Sequence, residues 1–204
     1  LEKIKENRML LIGCGILKKE IKLIIEKNKW PLDTLFLDSA LHIDFKKLSG
    51  KLTSALEKHH GKNIIVFYGC CHPLMEQILE KEHTFRTRGQ NCVDILLGYE
   101  FFSEELAKGA FFLLEDWALR WDHVVTKTFG NNEKILKDIF QGDRKYLLCV
   151  RTPCSGSFEV MAEQAGKKVG LPIKWTDSGL EHLESVLTEA VAKKMKELEC
   201  KTQE

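Results

Sequence analysis

Cysteine is the residue type through which this chain could do chemistry. Seven cysteines occur among 204 residues, an odd count without the regular spacing of a disulfide framework, which points to free thiols or metal ligands. Cys14 stands in Gly13-Cys14-Gly15, Cys70 and Cys71 in Tyr68-Gly69-Cys70-Cys71-His72-Pro73, Cys92 directly after Asn91, and Cys154 in Thr152-Pro153-Cys154-Ser155-Gly156. Structural zinc sites use Cys-x-x-Cys pairs, because one loop then supplies two tetrahedral ligands. No such pair exists here, so zinc is the weaker alternative. Thiols drawn from separate loops better fit an iron–sulfur cluster, with the 4Fe–4S type expected, and three ligands leave one iron open to a substrate.

Other constellations compete. Cys92 at a helix start could be an activated nucleophile with His42, His72, His83 or His123 as base, giving a cysteine-dependent enzyme without metal. Arg88, four residues before Cys92, offers a planar fork for a substrate carboxylate or phosphate, or else an ordinary surface salt bridge. Gly13-Cys14-Gly15 opens like a dinucleotide-binding turn, but Lys18 occupies the third glycine position, and the well-spaced Asp38 does not restore the match. A phosphate-cradling loop of the Gly-x-x-x-x-Gly-Lys-Ser/Thr type is absent.

The elements that must position these residues alternate along the chain. Strands are predicted over Arg8 to Gly13, Leu32 to Leu37, Ile64 to Tyr68, Ala110 to Leu114, Tyr146 to Val150 and Pro172 to Trp175. Helical spacing fills the intervals: Leu17 through Lys27, Asp44 to His59, Pro73 to Lys81, Cys92 to Leu97 with Asn91 as cap, and Phe101 to Ala107. One helix face carries Trp117, Trp121, Val124 and Val125, followed by helices over Asn132 to Phe140, Ser157 to Lys168 and Leu180 to Leu198. The two tryptophans have core spacing, and Lys193, Lys194 and Lys196 read as a solvated face with Cys200 incidental.

Strands alternating with helices predict an α/β protein of the three-layer doubly wound class: a mostly parallel sheet with helices on both faces. A single domain over residues 1–204 is expected, with residues 92–140 as a candidate helical cap over the sheet edge. In such sheets ligands bind beyond the carboxyl ends of the strands. Cys14, Cys70, Cys71, Cys92 and Cys154 all fall on that edge. Helix amino termini there are expected to lower the pKa of Cys14, Cys71 and Cys92, while neighbouring glycines let backbone approach a cluster closely.

Composition removes several classes. A chain 44% hydrophobic and 30% charged with net charge +1 can bury a core and has no global field to steer it to nucleic acid or acidic membrane. The longest apolar runs, Met9 to Gly13 and Asn63 to Tyr68, are far short of the roughly 20 residues that span a bilayer. Leu1 to Arg8 is charged, lacks the features of a secretory signal, and reads as a leader into the first strand. A cytoplasmic protein is expected.

Three segments carry a family resemblance: Tyr68-Gly69-Cys70-Cys71, Arg88-Gly89-Gln90-Asn91-Cys92 through Gly98, and Gly109-Ala110-Phe111-Phe112-Leu113 with Trp117 beyond. Over about residues 8 to 125 the chain resembles the uncharacterised prokaryotic family catalogued as domain of unknown function 1638. That family's pattern maps onto Cys71, Arg88, Cys92, Gly98 and Trp117, with departures at Thr87, Asn91 and Asp116. The resemblance implies the company of anaerobes and methanogens, beside corrinoid-dependent methyl-transfer systems, and so a corrinoid protein or methyltransferase as partner.

The reading that results is a metal- or iron–sulfur-binding protein of anaerobic metabolism, accessory to corrinoid-dependent methyl transfer. The expected ligands are Cys14, Cys71 and Cys92, with Cys154 as a fourth ligand or nearby thiol and Cys70 turned toward the core. Arg88 is the expected substrate-binding residue. A non-catalytic module that holds a cofactor for a partner is the other class.

Overall fold

The apolar runs become strands almost residue for residue. The computed structural model describes residues 8–130 and 132–201, so of the expected leader only Arg8 lies within it, paired with Asp33 at 3.2 Å. Strands β1 (Met9–Cys14), β2 (Leu32–Leu37) and β3 (Asn63–Phe67) pair in parallel in the order β2-β1-β3. Strands β4 (Ala110–Leu114), β5 (Tyr146–Arg151) and β6 (Ile173–Asp177) form a second parallel sheet in the order β4-β5-β6. Every residue of β1 is buried, and so is β5 up to Arg151. A strand buried at consecutive positions is covered on both faces. The fold is therefore α/β, parallel strands between helices, in the three-layer class expected.

The chain divides into two compact units, one comprising the residues through Leu96 together with those from Glu181 onward, the other Leu97–Leu180. Each contains one three-stranded sheet.

In the first unit, a 3-10 turn at Gly15–Leu17 leads from β1 into α1 (Lys18–Asn28). Helix α2 (Phe45–Lys58) turns Leu48, Leu52, Ala55 and Leu56 inward, and Asp44 caps it by accepting from the Lys47 N–H at 3.0 Å. Helices α3 (Met75–Lys81) and α4 (Cys92–Leu97) follow β3. The segment between them returns beside β3: Val66 N–H donates to Phe85 O at 3.0 Å, and Thr87 N–H to Val66 O at 2.8 Å. The long helix near the carboxyl end, Glu181–Lys201, buries Leu183, Val186, Leu187, Ala190 and Val191. Its Glu184 accepts from Lys27 and Asn28 of α1, each at 2.7 Å. Lys194, expected in solvent, is instead buried, its ammonium on Glu197 at 2.7 Å and 4.7 Å from the Phe85 ring. A long aliphatic stem covers apolar surface while its charge finds a partner.

The second unit holds α5 (Tyr99–Ala107), α6 (Glu115–Leu119), α7 (Trp121–Phe129), α8 (Glu133–Asp143) and α9 (Glu159–Val169); the Glu181–Lys201 helix of the first unit is thus α10. Residues 92–140, the expected cap, contain α4 through most of α8 and also β4. Leu113, Leu147, Cys149, Phe158, Ala162, Ala165 and Val169 form the centre of this unit's core. Phe111, Trp121 and Phe140 meet it with ring centroids 5.1–5.9 Å apart. The tryptophans therefore pack as core, as their spacing predicts. They lie on two helices rather than one. Arg120 leaves helical backbone at φ −119°, ψ 20°, donating its N–H to Trp117 O at 3.2 Å while its own carbonyl accepts from Val124. No glycine or proline marks that break.

Among the described residues no helix is long and apolar enough to cross a membrane.

Candidate thiol site

The carboxyl ends of β1, β2 and β3 lie level, Cys14 beside Leu37 and Gly13 beside Phe67 in the strand register. Cys14 is the last residue of β1, the Tyr68–Cys71 loop leaves β3, and Cys92 begins α4. Gly69 brings the second and third of these together. A methyl group at its Cα would overlap the backbone of Gln90 and Asn91, so the loop approaches closely only without a side chain. Cys70 N–H donates to Gln90 O at 2.7 Å across that contact. Asn91 caps α4, its Oδ1 accepting from Val93 N–H at 2.9 Å and Asp94 N–H at 3.0 Å. The buried Asp94 reaches back to accept from Gln90 N–H at 2.6 Å. The cap and this return bond fix where Cys92 stands.

Cys14, Cys71 and Cys92 form one electrostatic group. A hydrogen bond between the Cys92 and Cys14 thiols, followed by burial, pushes Cys92 well above its ordinary value, and Cys71 adds to the effect. Burial, then Cys14, pushes Cys71 up to about 11. These directions reverse the lowering expected from helix amino termini. Removing sulfur from water penalises its charged form, and that outweighs the dipole of a helix as short as Cys92–Leu97. At neutral pH Cys71 and Cys92 are therefore neutral thiols.

The fourth group present is the phenol of Tyr68. Its side chain is 1% exposed, and its hydroxyl has no hydrogen-bond partner among the described residues. Burial, then Cys14, Cys92, Cys71 and Asp38, push its pKa far up. A hydroxyl buried this way costs about 1–3 kcal/mol. Asp38, just past β2, accepts from Ala40 N–H at 2.8 Å.

Cys70 points the other way. It was expected toward the core, but it is exposed. Adjacent residues leaving a strand face opposite sides, and with Cys71 turned to Cys14, Cys70 meets Arg86, whose Nη2 lies 3.2 Å from its sulfur. Arg86 is held by Glu76 at 2.6 Å and by the carbonyls of Thr87 and Gly89, each at 3.0 Å. Arg88 is paired with Glu189 of α10 at 3.0 Å and lines a cavity of about 300 Å³ with Arg86, Phe85, Glu189 and Lys193. Arg86, not singled out by the sequence, is the arginine whose fork reaches both that cavity and a cysteine. Its only signal was its place two residues before Arg88, which strand-like alternation would put on the same side.

His72 and His42 find their hydrogen bonds within their own loops. His72 accepts from Leu74 N–H at 3.0 Å and meets Phe45 edge-on, and α3 begins at Met75 rather than Pro73. His42 is kept neutral by burial and bonded to Ser39 O at 2.9 Å.

Cys154 belongs to the second unit. Its turn is closed internally: Cys154 N–H donates to Thr152 Oγ1 at 3.1 Å, Ser155 N–H to Thr152 O at 3.0 Å, and Thr152 N–H to Ser155 Oγ at 2.9 Å.

Among the described residues, no group of three or more His, Cys, Asp or Glu side chains is arranged to hold a metal ion. The donor chemistry of Cys14, Cys71 and Cys92 nevertheless suits a soft metal or an iron–sulfur cluster. An unpartnered buried hydroxyl beside them suits a group that brings its own hydrogen-bond acceptors.

No curated protein and no solved structure matches the chain. A family model does, described as protein of unknown function DUF1638, over residues 36–187. The match starts later than residue 8 and runs well past 125. It includes Cys71, Arg88, Cys92 and Cys154 and begins after Cys14. With most of its length matched, including the Tyr68–Cys71 and Arg88–Cys92 segments, the chain belongs to the DUF1638 family.

Proposed function

We propose that the first unit binds a metal through Cys14, Cys71 and Cys92, with an iron–sulfur cluster of the 4Fe–4S type as the group and zinc as the lesser alternative. The observation that carries this reading is that three thiols from three separate elements at the carboxyl edge of one parallel sheet act on one another electrostatically. Such an edge is where open α/β sheets bind ligands. Bound there, a cluster with three protein ligands supplies an iron able to take a small substrate. The chain's own residues hold the sulfurs, fix Cys92 through the Asn91 cap, and exclude water by burying Cys14 and Cys92.

In this reading the activity belongs to the cytoplasm of an anaerobe, accessory to corrinoid-dependent methyl transfer with a corrinoid protein or methyltransferase as partner, a context that the family resemblance suggests. The cavity beside Arg88 and Arg86 is of a size for a small anionic substrate. A metal-free cysteine nucleophile has less support. That chemistry needs a lowered thiol pKa, and Cys71 and Cys92 are pushed the other way.

The test is iron and labile-sulfide content, with a visible spectrum, of protein purified without oxygen, compared with the Cys14→Ala/Cys71→Ala/Cys92→Ala variant. Stoichiometric iron and sulfide that vanish in the variant are the expected result. A colourless wild type that resists reconstitution with iron, sulfide or zinc would sink the reading.

A further inference from the structure

We infer that Tyr68 is a positioning residue whose hydroxyl is reserved as the hydrogen-bond donor to the sulfur of the group held by Cys14, Cys71 and Cys92, an inference that rests on the function proposed above. The ring cannot look elsewhere for a partner. Tyr68 directly follows β3, its own carbonyl accepts from Thr87 Oγ1 at 3.3 Å, and its side chain is 1% exposed. The groups within electrostatic reach of its hydroxyl are Cys14, Cys92, Cys71 and Asp38. The Asp38 carboxylate makes no bond to that hydroxyl and receives Ala40 N–H. Neutral thiols are weak acceptors. Sulfur bound to metal carries negative charge and accepts strongly, since hydrogen bonds to ionised acceptors are about twice as strong as neutral ones. The hydroxyl that is left unpartnered among thiols is thus satisfied once they become ligands.

Buried polar groups without partners are rare in native proteins. One standing among three candidate ligands has a physical account as part of a binding site. Hydrogen bonds to cluster sulfur are among the factors that set reduction potential. Tyr68 therefore favours the reduced form, in which the sulfurs carry more charge.

Tyr68→Phe removes only the oxygen. Wild type and variant are each loaded anaerobically with iron and sulfide. Metal content, the one-electron midpoint potential and the melting temperature of the metal-free protein are then measured. The expected result is retained iron and sulfide, a redox equilibrium moved about tenfold toward the oxidised form, which is about 59 mV for one electron, and a metal-free variant that melts no lower than wild type. Loss of iron from a variant that folds would support the assignment too, since the ring remains. Equal potentials in two loaded proteins would overturn the role of Tyr68 and leave the cluster standing. A metal-free variant that melts well below wild type would also overturn it, because the hydroxyl would then have a structural partner. A wild type that takes neither iron nor sulfide overturns both readings together.

Discussion

The two units end their strands in opposite ways. At the carboxyl edge of β4, β5 and β6 the polar groups satisfy one another. Arg151 holds Asp177 at 2.8 Å and lies 5.1 Å over the Trp175 ring, Gly156 N–H donates to Glu115 at 3.1 Å, and the Thr152–Ser155 turn closes on itself. At the carboxyl edge of β1, β2 and β3 stand three electrostatically coupled thiols and a phenol that has no hydrogen-bond partner among the described residues. The backbone geometry is the same in kind, parallel strands running into loops. The difference is in the groups that stand there: ion pairs and a self-closed turn at one edge, thiols and a phenol without an acceptor at the other. Buried groups that protein atoms leave unsatisfied mark where something else belongs. Such groups occur in both units, Trp121 Nε1 among them, but the one that stands with thiols is Tyr68, and it is there that binding is proposed.

The largest effect that would break this contrast is in pH dependence. Cys71 is pushed up to about 11 and Cys92 well above its ordinary value, so both carry protons throughout the range from pH 6 to 8. A metal must displace at least those two protons, and its affinity therefore rises with pH by about hundredfold per unit or more. Competition of zinc or cobalt against a chromophoric chelator at several pH values measures the slope. A flat profile would mean that these thiols are not ligands.

How far the sequence reached can be judged from the same edge. Strand and helix positions are legible where local signals agree: Leu32–Leu37 and Ala110–Leu114 stand where their apolar runs put them, and Cys92–Leu97 where the Asn91 cap and Gly98 put it. Strand ends put Cys14 and the loop with Cys71 at one sheet edge, since a parallel sheet collects its loops on one side, but the same reasoning put Cys154 there, and it follows a strand of the other sheet. What periodicity could not show is which strands share a sheet, and they fall into two sheets, one in each unit. Nor could it show the direction of thiol pKa shifts, because burial depends on long-range packing whereas a helix start is local. Cys70 was turned the wrong way for a related reason: which of two adjacent residues faces inward is set by the register of the loop on Gln90, a contact made 20 residues away. Arg86 was overlooked because its role comes from the backbone bridge beside Val66.

The next effect bears on whether the second unit is a scaffold in its own right. Leu147 is fully buried in the core of that unit, and Leu147→Ala removes packing that costs about 2–5 kcal/mol on unfolding. Denaturant titration measures the loss. The variant is expected to keep stoichiometric iron whenever it is folded, since the proposed ligands lie on the first unit. Loss of iron from folded Leu147→Ala would mean that the two edges are not independent.

A smaller effect lies at high pH. Cys71 and Cys149 both have folded-state values above the ordinary 9.0, about 11 and about 12, each through burial. The unfolded chain releases these protons first, so the stability present below pH 9 is lost as pH rises toward 11. Each thiol contributes about 1.4 kcal/mol per pH unit across that window. Metal loading should remove the contribution of Cys71 and leave that of Cys149, which separates one unit from the other in a single experiment. Equal alkaline loss with and without metal would count against Cys71 as a ligand.

The smallest effect is the sharpest comparison, because the same residue does the same local job in both units. Asn91 caps α4 and Asn132 caps α8, each accepting from two backbone N–H groups at 2.9–3.2 Å. Replacement by alanine costs about 1 kcal/mol at either helix. If the cap is only a cap, the two variants lose stability alike and differ in nothing else. Asn91, however, immediately precedes Cys92, and its backbone packs against Gly69 in the loop that carries Cys71. Loosening it frees two of the three proposed ligands. Asn91→Ala is therefore expected to weaken metal binding at least tenfold while Asn132→Ala leaves it unchanged, read by the same chelator competition. Equal affinities would show that the thiols keep their places without the cap, and would shift the burden of positioning onto Gly69, where any side chain meets the backbone of Gln90.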